Sequence, residues 1–160
     1  KLLPTPSKPE TDKLNPVVKA KENPVPDSVK RAVIPIEEKP VPKALAGRIN
    51  EVIEQIKTNA REIEVRIYDN GSIDNDTVSV YLDNILMLSN KRLTDKPLTV
   101  TFQLDDSQDT HELILVAENM GEIPPNTSLM IINAGSKQYE VRITSTEQKN
   151  AVVVFKYQPN

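Results

Sequence analysis

The chain has no cysteine, no tryptophan and a single histidine, His111. The absence of cysteine excludes disulfides, zinc–thiolate centres and thiol nucleophiles. One histidine is too little for a triad or a histidine-based metal site; its place just before an apolar run predicts a turn or strand-edge role. The four glycines stand apart at 47, 71, 121 and 135, so no glycine-rich loop can cradle a phosphate. No apolar run approaches the roughly 18 residues of a membrane span. Aromatic residues are 4% and hydrophobic residues 38% of 160, low for a chain folded over its full length, so part of it is expected to lack a core. Little remains for enzyme chemistry, and the chain reads as non-catalytic.

What is present divides near residue 60. Residues 1–60 hold nine of the 13 prolines, with 11 Lys+Arg against 8 Asp+Glu. Residues 61–160 hold four prolines, with 9 Lys+Arg against 15 Asp+Glu. The first part is too dilute in basic charge for nucleic acid, and the second would repel a phosphate backbone, so no nucleic-acid partner is expected. In residues 1–42 prolines recur between lysines and glutamates. Each fixes its own φ, lacks a donor and pushes its predecessor out of helical space. The expectation is a disordered proline-rich segment, either a semi-rigid stalk or an interdomain linker. The chain opens at Lys1 without a signal peptide and reads as a product whose targeting segment has been removed, which leaves room for a lipid anchor upstream.

Residues 43–60 change texture. Ala44, Leu45, Ile49, Val52, Ile53 and Ile56 recur at three and four, which predicts an amphipathic helical lead-in docked on the next domain. An extended strand through Val52 to Ile56 is the rival.

From residue 61 the period becomes two. Ile63, Val65 and Ile67 alternate with Glu64, Arg66 and Tyr68; Val78, Val80 and Leu82 alternate with Ser79 and Tyr81. Asp83-Asn84 has the composition of a two-residue hairpin turn, leading into a short strand from Ile85 to Leu88. Further alternations run through Leu98–Leu104, Leu129–Ile132, Tyr139–Thr144 and Ala151–Lys156. Leu113–Ala117 is apolar on both parities, the mark of a central strand covered on both faces. About eight strands over 61–158, with turns every 8–12 residues, predict an all-β antiparallel β-sandwich of immunoglobulin-like or jelly-roll-like type.

Three motifs occur in order: Tyr68-Asp69-Asn70-Gly71 through Asp74-x-Asp76-Thr77-Val78-Ser79-Val80-Tyr81; Ala117-Glu118-Asn119-Met120-Gly121-Glu122-Ile123-Pro124-Pro125-Asn126-Thr127; and Arg142-Ile143-Thr144-Ser145-Thr146-Glu147-Gln148-Lys149-Asn150-Ala151. This pattern, over roughly residues 48–157, resembles an uncharacterised β-sandwich domain of secreted proteins and lipoproteins of Bacteroidota. The resemblance implies an exported location, in the periplasm, on the outer-membrane surface or outside the cell, and implies no activity. The chain departs from it at Asn75, where the pattern has glycine.

The residues with most chemistry to offer are acidic. Asp69, Asp74 and Asp76 lie within eight residues, and Asp74-x-Asp76 can converge on one ion from a turn. Calcium takes six to eight oxygens, and Glu118 or Asn119 would complete the shell if their loop shares that end of the sandwich. The competing reading is that these side chains cap backbone amides of tight turns. Asp105 and Asp106 lie in a polar turn and read as solvated. Tyr68 and Tyr81 fall on the outward parity and, if side by side, would offer a small platform for a sugar ring. Together these features predict a structural or interaction module with an unidentified protein or glycan partner, a calcium-stabilised carbohydrate-binding module being the alternative.

Overall fold

The computed structural model describes residues 41–160. The proline-rich segment expected over 1–42 lies, up to Pro40, outside the described residues. The rest is a β-sandwich. Nine strands follow a four-residue helix, α1 (Lys43–Ala46): β1 (Ile49–Thr58), β2 (Glu62–Asp69), β3 (Thr77–Leu82), β4 (Ile85–Arg92), β5 (Leu98–Gln103), β6 (Thr110–Ala117), β7 (Asn126–Ala134), β8 (Lys137–Ser145) and β9 (Lys149–Tyr157). They form a five-stranded sheet in the order β1-β9-β6-β3-β4 and a four-stranded sheet in the order β5-β2-β7-β8. All pairings are antiparallel except β1 with β9, which is parallel. Among the described residues no helix is long and apolar enough to cross a membrane.

The core follows from alternation. Ile63, Val65 and Ile67 of β2 are fully buried between half-exposed Glu64, Arg66 and Tyr68. They meet Val78 and Val80 of β3, Leu113 and Leu115 of β6, and Val153 and Phe155 of β9 from the facing sheet. Phe102 of β5 packs edge-on against Phe155 across the layer, with centroids 5.5 Å apart and planes at 78°. Each such side chain contributes about 1.5–3 kcal/mol when fully buried. β6 is the middle strand of its sheet, and its apolar run is buried on both faces as expected. Leu113 and Leu115 enter the core, while Ile114 and Val116 join Leu45, Tyr81, Val152 and Val154 on the outer face. Asp83 and Asn84 take φ of 48° and 66°, the double positive φ of a type I′ turn, and close the β3–β4 hairpin.

The helical lead-in predicted over 43–60 is corrected. Helix occupies only Lys43–Ala46, and Ile49–Thr58 is a strand on the edge of the five-stranded sheet. The spacing of three between Ile53 and Ile56 comes from a bulge: between Val52 and Glu54 the strand advances two residues while β9 advances one. The extra residue brings Ile53 and Ile56 to the same, core-facing side. Val52, four before Ile56, faces out and is 56% exposed. A bulge in a strand rich in Ile and Val thus imitates helical periodicity. β4 also runs further than predicted, to Arg92, because an edge strand with solvent on one side tolerates Ser89-Asn90-Lys91-Arg92.

Candidate metal centre

β2 and β3 belong to opposite sheets, so the seven residues Asn70–Asp76 cross the end of the sandwich. Asp69, two residues beyond the core residue Ile67, and Asp76, two before the core residue Val78, both turn toward the interlayer space. Asp74 enters from the crossing loop. The turn preceding Asp76 requires left-handed backbone: Asn75 has φ 70°, which asparagine tolerates and glycine takes freely. The departure from the resembled pattern at this position therefore keeps the backbone shape.

A second loop, between β6 and β7, clasps the first. The Glu122 amide donates to the Asp74 carbonyl at 2.8 Å, and the Ile123 amide to Asp74 Oδ2 at 2.9 Å. The Thr127 amide donates to Asp76 Oδ2 at 2.9 Å. Asn119 Oδ1 accepts from the Thr77 amide at 2.7 Å, and its Nδ2 donates to the Asn75 carbonyl at 2.9 Å. Asn75 Nδ2 donates to Glu122 Oε1 at 2.6 Å. Each of Asp74 and Asp76 thus has one oxygen fixed by a backbone amide.

One carboxylate oxygen from each of Asp69, Asp74 and Asp76 lies within 4.8 Å of the others. Two oxygens on one calcium at 2.3–2.6 Å stand at most about 5.2 Å apart, so the spread of the three is close to that of oxygens sharing one ion. Asp74 and Asp76 are only 6% and 1% exposed. Asp69 Oδ2 and Asp76 Oδ1 are buried and have no hydrogen-bond partner among the described residues. Burial out of water pushes the Asp76 carboxyl above its ordinary range; the Thr127 amide opposes this, and repulsion from Asp74 and Asp69 adds to it. Asp69 is raised as well, by burial first and by the Asp74 charge second. Three carboxylates gathered at one point, two of them with a bare buried oxygen, form an arrangement that a divalent cation would neutralise.

The other predicted site residues fall into place around this cluster or away from it. Glu118 is exposed, and its amide donates to the Thr77 carbonyl at 2.8 Å. Asn119 uses its amide group to hold the crossing loop, so it positions the carboxylates. Tyr68 and Tyr81 do not form a platform. Tyr68 is on β2 of the four-stranded sheet, while Tyr81 is on β3 of the five-stranded sheet and is 8% exposed within the Leu45 cluster. Parity alone makes both residues outward; it cannot say that the two strands lie in different sheets. His111 is buried at the other end of β3 and β6, with Nδ1 2.7 Å from Asp83 Oδ2 in the hairpin turn. Asp105 is fully exposed and held below its usual range by the Ser107 hydroxyl and amide, and Asp106 pairs with Arg61 at 3.0 Å in solvent.

Gly121 was not singled out by spacing. Its φ is +59°, and a Cβ there would stand 2.6 Å from Asp76 Oδ1 and 2.7 Å from Asp74 Oδ2. Its place in the Asn119–Thr127 stretch was the only available signal. Beside the cluster a shallow cleft of about 230 Å³ is lined by Asn70, Ser72, Asp74, Ile123, Pro124 and Thr127.

Fold and site together define a β-sandwich with three clustered aspartates at one end. Comparison with protein-family models, curated proteins and solved structures returns no match.

Proposed function

We propose that the chain is a non-catalytic structural or interaction module of an exported bacterial protein, and that Asp69, Asp74 and Asp76 hold one calcium ion that fixes the loop end of the sandwich. The observation that carries this reading is the pair of bare oxygens. Asp76, 1% exposed, gives one carboxylate oxygen to a cluster with Asp69 and Asp74, and among the described residues neither Asp76 Oδ1 nor Asp69 Oδ2 has a protein donor. A buried carboxylate with one oxygen left bare is costly unless a cation or a proton neutralises it. Calcium fits the hard, all-oxygen donor set, and extracellular modules bind it at dissociation constants of about 0.1–1 mM. An exported location, which rests on the resemblance, would supply such concentrations. The ion would tie the β2–β3 crossing to the β6–β7 loop and leave the outer surfaces free for a partner.

Isothermal titration of the full chain with calcium tests the reading. One site per chain is expected, lost in Asp76→Asn. No heat of binding up to about 10 mM calcium, ten times the weak end of that range, would overturn it.

A further inference from the structure

We infer that Ser128 supplies a fourth protein oxygen to the same cation, so that the ion is held from the interior of the sandwich as well as from its loops. This rests on the calcium reading above. Ser128 stands directly opposite Asp69 in the β2–β7 ladder. Opposed residues in antiparallel strands present their side chains to the same face with Cβ atoms about 4.5–5.5 Å apart. That face is the core face: Met130, two residues along β7, is 1% exposed within the main apolar cluster, as is Ile67 before Asp69. Ser128 is 0% exposed, and its Oγ has no hydrogen-bond partner among the described residues. A buried hydroxyl finds a partner, protein or water, in nearly all folded proteins, and the register puts this bare one on the same face as Asp69.

The chemistry agrees. Calcium takes six to eight oxygens, and three aspartates that bind through one oxygen each supply only three. Asp74 Oδ2 and Asp76 Oδ2 are already engaged by the Ile123 and Thr127 amides. A neutral hydroxyl adds an oxygen without adding to the repulsion among three anions. Ser128 and Asp69 belong to the four-stranded sheet, whereas Asp76 leads into β3 of the five-stranded sheet. An ion bound by all three joins the two sheets across their shared end. Ser145 provides the comparison. It is equally buried and its Oγ is equally bare, but it lies on β8 opposite Asn126, one strand further from Asp69.

The test uses the full-length chain with calcium, and with terbium(III) as a luminescent ion of similar size and oxygen preference. Ser128→Ala is expected to weaken calcium binding on the order of tenfold and to admit about one more water to bound terbium, read from luminescence lifetimes in light and heavy water. Ser145→Ala should leave both unchanged. Circular dichroism and the metal-free melting curve establish that each variant is folded, and Ser128→Thr, which keeps the hydroxyl, should restore the wild-type water count. If Ser128→Ala binds calcium as the wild type does with an unchanged water count, the fourth ligand is refuted while the aspartate site stands. A wild type that binds neither ion overturns both.

Discussion

A methyl group on Gly121 would stand 2.6 Å from Asp76 Oδ1. The two residues sit 45 positions apart, on different loops, and the close approach makes one the floor of the other's site. Gly121→Ala therefore acts twice. It places a side chain at φ +59°, which costs about 1–2 kcal/mol, and it displaces two carboxylates. Urea unfolding should show a loss of about 1–3 kcal/mol, and calcium affinity should fall with it. Wild-type values for both would mean that the loop yields without disturbing the cluster.

Acid should affect the metal-free and calcium-loaded protein in opposite directions. Asp69 and Asp76 hold protons more tightly in the folded chain than at the ordinary 3.8. The folded state binds more protons between 3.8 and those raised values, so the contribution of this pair to stability is fully present below 3.8 and is lost as pH rises through the folded pKa values. In EDTA, lowering the pH from neutrality should raise stability relative to an Asp69→Asn, Asp76→Asn double variant. With calcium the carboxylates must stay ionised, so acid should release the ion and lower stability. Melting curves of both proteins across pH 4–8 measure this, and parallel profiles in EDTA would contradict it.

Asp83 is the hub of the opposite end. Its Oδ1 accepts from the Glu112 amide at 2.8 Å, and its Oδ2 faces His111 Nδ1 and Gln108 Nε2, each at 2.7 Å. Asp83→Ala should cost about 2 kcal/mol, because a buried histidine nitrogen and a strand amide lose their acceptor. It should leave calcium binding intact. A change in affinity would show that the two ends are coupled.

Most of the fold was legible because most strands keep one face in the core. The alternations in β2, β3, β5 and β8 each revealed a strand, and the two-sided apolar run of β6 revealed the middle of a sheet. β1 reads as a helix because its bulge at Ile53 replaces period two with the spacing of a helix. The acidic cluster was legible from Asp69, Asp74 and Asp76 alone, since they are close in sequence. Ser128 and Gly121 were not, because they reach the cluster through strand register and loop closure, and neither leaves a local trace. The Tyr68–Tyr81 pairing failed for the same reason: parity fixes a face within a sheet and says nothing about which sheet.

The two readings of residues 49–58 make different demands on single side chains. In the strand, Ile56 is 1% exposed in the main core while Val52 is 56% exposed. Ile56→Ala should cost about 2–5 kcal/mol, and Val52→Lys should stay within about 0.5 kcal/mol of the wild type. An amphipathic helix would bury both, and comparable losses would restore it.

The most direct measurement is a thermal melt of the full chain in 5 mM calcium against excess EDTA. A site of about 0.1–1 mM stabilises the folded state by roughly 1–2 kcal/mol at that concentration, which should raise the midpoint by at least about 4 °C. The rise should vanish in Asp74→Asn and Asp76→Asn. Superimposable curves for the wild type would contradict the calcium site and leave Asp69, Asp74 and Asp76 as residues that cap the backbone of two interlocked loops.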